Sequence, residues 1–148
     1  MKQPNYIHNI DMSNIEEIIL IEKESFLNPW NKNHFKNDIL NKLSMNYMYK
    51  KNKEIRGYLF GHFICDEYHL NKITVKKKYR YKKIGKSLFL YCLSELINNN
   101  IKSIHLEVSS LNLIAQKFYK NMGFVQVGLR EKYYSKHEDA LLYSLDIR

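Results

Sequence analysis

The chain has 148 residues, 45% hydrophobic and 14% aromatic, enough for one packed core and too apolar for wholesale disorder. Its formal net charge is +9, which admits a nucleic acid, a ribosome or a polyphosphate as partner. No apolar run approaches the ~20 residues of a membrane span, and the polar start Met1-Lys2-Gln3-Pro4-Asn5 lacks the apolar middle of a secretory signal, so one domain over 1–148 and a cytoplasmic location are expected.

Ser13-Asn14-Ile15-Glu16 has the spacing of a capping box, and Ile15, Ile18, Ile19 and Glu22 follow at helical spacing, which predicts a helix over 13–25. Pro29 cannot continue a helix interior, so the chain breaks at Phe26–Trp30 before a short second helix over 31–41. Segments 45–50, 56–65 and 67–75 are strand-like, with Lys51-Asn52-Lys53-Glu54 as the first turn. Gly57 and Gly61 inside the second of these mark a bulge or a close approach. Gly85, Leu88, Phe89, Cys92, Leu93, Leu96 and Ile97 then fall at helical spacing. Residues 103–108 form a strand and 112–122 a helix, with Asn112 as its cap and Gly123 past its end. Residues 124–130 and 141–147 close the chain as a strand pair. The order α-α-β-β-β-α-β-α-β-β predicts an α/β architecture: a mixed, mostly antiparallel sheet with helices on both faces.

Cys65 and Cys92 lack metal-site spacing and are both expected to be buried small apolar residues. The six histidines are scattered, with no ligand-like grouping with Cys or a carboxylate, so no metal is expected.

Lys76, Lys77, Lys78, Arg80, Lys82, Lys83 and Lys86 crowd the turn between an apolar strand and a helix. A helix N-terminus offers free N–H groups and partial positive charge, so the turn suits a di- or triphosphate. Farther on, Leu106-Glu107-Val108 is followed by Asn112, and then by Phe118-Tyr119-Lys120-Asn121-Met122-Gly123-Phe124. Taken singly, a Glu in a short strand faces solvent and a Tyr at helical spacing edges a core.

Together these segments resemble the GCN5-related N-acetyltransferases. Arg80-Tyr81-Lys82-Lys83-Ile84-Gly85 is similar to that family's pyrophosphate loop, with Lys83 where the first loop glycine stands. The strand–loop–helix order, Phe26–Trp30, Arg130–Tyr134 and Glu138-Asp139-Ala140 extend the resemblance from about Ser13 to Ile147, toward the branch that acetylates protein amino termini. The resemblance implies acetyl-coenzyme A as the acetyl donor, with Ile73, Thr74 and Val75 along its pantetheine arm and Tyr81, Lys82, Lys83, Ile84, Gly85 and Lys86 at its pyrophosphate. It makes Asn112 a further contact, Glu107 the general base and Tyr119 the general acid. The implied acceptor is the α-amine of an alanine-starting protein of the small ribosomal subunit. Trp30, Tyr133 and Tyr134 would line the peptide site, and Asp66, Glu67, Glu138 and Asp139 would pair with a basic peptide. The expected protein is a monomer with no membrane partner and no direct nucleic-acid contact. Two other readings stay open: a different amine acceptor (a lysine, polyamine or aminoglycoside), and a non-catalytic ribosome- or RNA-binding module.

Overall fold

Residues 5–148 are described by a computed structural model. The start Met1 to Pro4, which bears on the expected absence of a secretory signal, lies outside the described residues. The strands are β1 (Ile7–Asn9), β2 (Tyr47–Lys51), β3 (Glu54–Ile64), β4 (Glu67–Val75), β5 (Ser103–Ser109), β6 (Val125–Ser135) and β7 (Glu138–Asp146). The helices are α1 (Ile15–Ser25), α2 (Lys32–Leu40), α3 (Ile84–Asn98) and α4 (Leu113–Asn121). The strands form one seven-stranded sheet in the order β1-β2-β3-β4-β5-β7-β6. Every adjacent pair is antiparallel except β4–β5, which is the mixed sheet expected. Among the described residues no helix is long and apolar enough to cross a membrane.

The element boundaries follow from local chemistry. Asn52 (φ 53°) and Lys53 (φ 63°) both take the left-handed conformation that a two-residue hairpin requires between β2 and β3. Asn31 caps α2 by accepting the His34 N–H at 2.9 Å, and Asn112 caps α4 by accepting the Ala115 N–H at 3.1 Å. The first cap departs from expectation. Ser13 does not cap α1; Asp11 accepts the Ser13 N–H at 2.8 Å and gives its own N–H to Asn14 at 2.9 Å. This box nucleates a 3₁₀ turn over Met12–Asn14 that runs into α1. A carboxylate is the stronger acceptor for a free amide, which explains why Asp11 prevails. β1 is a three-residue strand, too short to show a period in sequence.

Two apolar clusters sandwich the sheet. Leu59, Leu70, Leu88, Phe89, Leu106, Tyr119 and Phe124 belong to the one under α3 and α4. Ile18, Ile21, Phe35, Tyr58 and Phe60 belong to the one under α1 and α2. Both strand glycines mark close approaches. A Cβ on Gly61 would stand 2.1 Å from the Tyr68 ring, and one on Gly57 would stand 2.9 Å from the Thr74 carbonyl and 3.2 Å from Ile84. Gly57 thus lets the start of α3 sit down on β3 and β4. Beside Gly61 the register also slips: Phe60 faces Lys72 and Gly61 faces Leu70, which leaves Asn71 as a bulge on β4. Of the cysteines, Cys92 is buried as expected. Cys65 is exposed, because it sits in left-handed backbone (φ 55°) in the β3–β4 turn.

Candidate active site

β4 and β5 touch over three residue pairs only, Glu67–Ser103, Tyr68–Ile104 and His69–His105. Beyond that seam β4 stays on β3 through Val75, while β5 stays on β7 through Ser109. The two strands therefore part, and a wedge opens at their carboxyl ends, where open α/β sheets bind ligands. The Asn71 bulge lies two residues past the seam. Beyond the β4 end, the Lys76 N–H bonds the Arg56 carbonyl at 2.8 Å. Antiparallel alternation then turns the N–H and C=O of Ile73 and Val75 away from β3 and into the wedge. Thr74 is turned out of it. Its cross-strand partner is Tyr58 of the α1–α2 cluster, and its hydroxyl is buried on that face.

The basic turn at the mouth of the wedge divides in two. Glu54 gathers Lys76 (3.1 Å), Lys78 (3.5 Å) and the Tyr79 hydroxyl, and these partners, the Tyr79 hydroxyl first, hold its carboxyl down to about 2. Arg80 is tied by its Nε–H to the Val75 carbonyl at 3.0 Å. Lys82, Lys83 and Lys86 remain exposed around the start of α3. Lys83 takes left-handed backbone (φ 65°, ψ 17°), as does Tyr81 (φ 62°). That conformation followed by a helix start makes a concave nest of amides. Among the described residues the N–H groups of Tyr81, Lys82 and Lys83 find no partner, and Ile84, Gly85 and Lys86 sit in the first helical turn, whose N–H groups have none within the helix. A pyrophosphate fits this donor set. Gly85 faces Phe118 and Val75, so the floor of the nest continues into the wedge.

Lys83 thus adopts the backbone a glycine would adopt, at a cost of roughly 1–2 kcal/mol for a residue with a Cβ. Lys83→Gly is expected to raise the melting temperature and to weaken acetyl-coenzyme A binding at low salt, with the two affinities converging at high salt. Calorimetry at two ionic strengths checks this, and equal affinity at low salt would remove the lysine from the site.

Glu107 lies on β5 just past the seam, on the face opposite Leu106 and Val108. It enters a cleft of about 600 Å³ lined also by Trp30, His69, His105, Arg130 and Tyr134. Its carboxylate meets Arg130 Nη1 at 3.2 Å. Burial raises the Tyr134 phenol, and the nearby Glu107 charge adds to the shift. Tyr133 and Tyr134 stand on a long bulge where residues 131–134 of β6 oppose Asp139 alone. That bulge is closed by the Lys132 N–H donating to Asp139 at 2.8 Å. Tyr134 lines the cleft, whereas Tyr133 packs on Tyr134 and under Arg130.

Tyr119 approaches from the other side of the sheet. It is 7% exposed on α4, packed on Phe118 and Phe124. Burial pushes its phenol far above the ordinary range, and among the described residues its hydroxyl makes no hydrogen bond. α4 reaches over the wedge through Phe118, which abuts Gly85. Glu107 and Tyr119 therefore lie on opposite faces of the sheet, the first in the cleft and the second within the apolar cluster under α3 and α4. Asn112 spends its side-chain carbonyl on the α4 cap, so only its Nδ2 is free for a further contact.

All four acidic residues expected to meet a peptide have partners within the chain, Glu67 in His69 and His105. Asp66 meets Lys102 at 3.5 Å, Glu138 accepts the Ser109 hydroxyl, and Asp139 holds the bulge. Glu67 alone faces the cleft. Two groupings escape sequence inspection. The first is a buried network: Glu22, 0% exposed, accepts Tyr58 Oη at 2.6 Å, the Trp30 N–H at 2.8 Å, and Lys72 Nζ. Lys72 also lies 3.9 Å from the Phe26 ring and 4.4 Å from the Trp30 ring. This fixes the 26–30 segment over the cleft. The second is a row of histidines, His62, His69 and His105, side by side on three neighbouring strands. The row runs along the sheet rather than around a point, and among the described residues no three His, Cys, Asp or Glu converge as a metal site.

Residues 10–137 match the acetyltransferase (GNAT) domain family. A Bacillus subtilis protein, provisionally named a [ribosomal protein bS18]-alanine N-acetyltransferase, is 29% identical over 144 residues, covering 96% of this chain and 95% of its own. The crystal structure of the ribosomal-protein-S18-alanine N-acetyltransferase from Escherichia coli superposes with a TM-score of 0.90 at 24% identity, covering 95% of this chain and 92% of that one. An N-acetyltransferase from Thermoplasma acidophilum, solved in complex with coenzyme A, gives 0.82 at 19% identity, covering 95% of this chain and 97% of that one. The two solved structures establish the fold.

Proposed function

The chain belongs to the acetyltransferase (GNAT) domain family, whose members take acetyl from acetyl-coenzyme A, and from that premise we propose that its acceptor is a protein N-terminal α-amine. The favoured acceptor starts with alanine and belongs to the small ribosomal subunit, as the names of the relatives suggest. The observation that carries the reading is the wedge itself. It offers amides for a pyrophosphate at its mouth and strand amides along β4, with Glu107 just past the seam on one face of the sheet; in this reading Tyr119 serves it from the other face.

In this reading the amides of 81–86 hold the pyrophosphate, and the outward N–H groups of Ile73 and Val75 with the Ile73 C=O pair with the pantetheine arm as an added strand would. The acceptor enters from the Trp30 and Tyr134 side. Its neutral amine attacks the thioester carbonyl, and an outward β4 N–H stabilises the oxyanion. Glu107 accepts a proton from the attacking nitrogen. The thiolate leaves beside Tyr119, whose buried phenol stays protonated and can donate. Desolvation in the same apolar setting raises the basicity of the thiolate, which narrows the gap between donor and acceptor. No covalent enzyme intermediate is required.

The test is acetyl transfer to a short Ala-starting peptide of that ribosomal protein, beside the same peptide with its α-amine blocked. Product from the free amine alone supports the reading, and its loss in Tyr119→Phe would place the phenol in the reaction. Product from the blocked peptide through a lysine, or none while acetyl-coenzyme A still binds, would overturn the acceptor.

A further inference from the structure

His62, His69 and His105 occupy directly opposed positions on β3, β4 and β5. Their rings lie 5.4 Å (His62–His69) and 5.5 Å (His69–His105) apart, the first pair nearly parallel. His69–His105 is the last pair of the seam, so the two imidazoles stand at the inner end of the wedge. Glu67 serves both, with one carboxylate oxygen 3.3 Å from His69 Nε2 and the other 3.8 Å from His105 Nε2. His105 also meets the Ser103 hydroxyl at 2.9 Å. Glu107 lies two residues from His105 on the same strand face, roughly 7 Å along it, and both line the same cleft.

The reaction needs a second proton acceptor. A protein α-amine arrives mainly as the ammonium, with an ordinary pKa of about 8. Turning R–NH₃⁺ into an amide removes two protons from nitrogen. One leaves before attack; the other leaves as the C–N bond forms and the C–S bond breaks. The thiolate takes back one proton, so the balance releases one to solvent. A carboxylate, ordinarily near 4.3, matches the first removal poorly, whereas an imidazole, ordinarily near 6.5, lies closer to neutrality and to the ammonium. Glu107 is in addition shared with Arg130.

We propose that His69 and His105, bridged by Glu67, take the first proton from the acceptor's ammonium through water and, being partly exposed themselves, release it to solvent, leaving Glu107 for the second. The proposal rests on the amine-acetylating reading above. His62, held by Asn71 at 2.9 Å, ends the row on β3. Burial and then the His69 charge lower its imidazole, so it competes poorly for the proton. The charged and titratable groups facing the pair are His62 from β3, Glu67 from β4, Glu107 from β5, and Arg130 with Tyr134 from β6. Beyond His62, α2 contributes His34 and Asp38. Both proton-accepting rings are about a third exposed, so replacing them leaves the core intact.

The test measures kcat/KM for an Ala-starting peptide and for a lysine-bearing peptide with blocked α-amine, from about pH 5.5 to 9.5, in the parent, His69→Gln, His105→Gln and the double variant. Expected is a loss of roughly 10–30-fold in the double variant near pH 6.5, where only a few per cent of the amine is neutral, recovering toward the parent above about pH 9, where the amine is already neutral. Added imidazole should restore part of the loss at low pH, and acetyl-coenzyme A affinity should not move. A merely structural role would lower activity equally at every pH and resist imidazole. Profiles parallel to the parent overturn the proton-accepting pair and leave the acceptor reading standing. Activity on the lysine peptide alone overturns the N-terminal acceptor, and the profiles then decide the pair on that amine. No acetylation of either peptide overturns both.

Discussion

Glu107→Gln is expected to lower kcat for the peptide acceptor by about 10²–10⁴-fold, the usual contribution of a positioned base, while acetyl-coenzyme A affinity and melting temperature stay near the parent's. The amide keeps the shape and a hydrogen-bond acceptor but cannot hold the proton lost from nitrogen as the amide forms. The carboxylate is on the surface of the cleft, and its one ionic partner, Arg130, is itself 54% exposed, so little stability is at stake. The loss should persist above pH 9, which separates this residue from groups needed only to neutralise the incoming ammonium. Initial rates at saturating peptide check it. A fall of less than about tenfold at all pH values would assign the base elsewhere.

The second large effect concerns stability. Glu22→Gln should destabilise the chain by about 3–5 kcal/mol, the usual result of leaving a buried charge without its partner. Glu22 is fully buried, and the Lys72 side chain is 11% exposed. Burial already pushes the Lys72 ammonium below its ordinary range, and Glu22 opposes that shift. Removing the carboxylate charge therefore leaves Lys72 between two aromatic rings with its desolvation uncompensated, and weakens the acceptor for Tyr58 and the Trp30 amide. At this chain length the melting temperature should fall by roughly 10 °C. Glu22→Gln with Lys72→Met should recover much of it, since the stranded charge is then gone. Thermal melts of the two variants decide the matter, and a single variant as stable as the parent would mean that the pair is not a buried charge pair in solution. Because the network fixes Trp30 over the cleft, the peptide KM should rise along with the loss.

Much of the fold was legible because its signals are local. The α3 periodicity, the Asn112 cap and the Gly123 stop depend on residues a few positions apart, and each is present where expected. Glu107 and Tyr119 stand out through short motifs, and their placement on opposite faces of the sheet follows from strand alternation and the path of α4. What stayed hidden depends on register. Had β4 no bulge, His62 would oppose Leu70; the extra residue Asn71 shifts it onto His69. No spacing between positions 62, 69 and 105 shows that. The Glu22–Lys72 pair joins residues 50 apart through two separate elements, which no window over the chain can contain. The basic turn was overread for the same reason: Glu54 lies far enough upstream to be missed, yet it claims Lys76 and Lys78.

The three-pair seam also governs how the chain comes apart. β1 to β4 form one half-sheet and β5, β7 and β6 the other, and along the sheet the short run Asp66–His69 against Lys102–His105 ties them together. Parallel pairing across so long a crossover is slow to close, so the seam belongs to the late steps of folding and to the early steps of local opening. A ligand lying in the wedge touches both halves. Its binding free energy is then also the free energy that holds them shut, and the protection of the seam amides against hydrogen exchange should climb with ligand concentration as mass action requires.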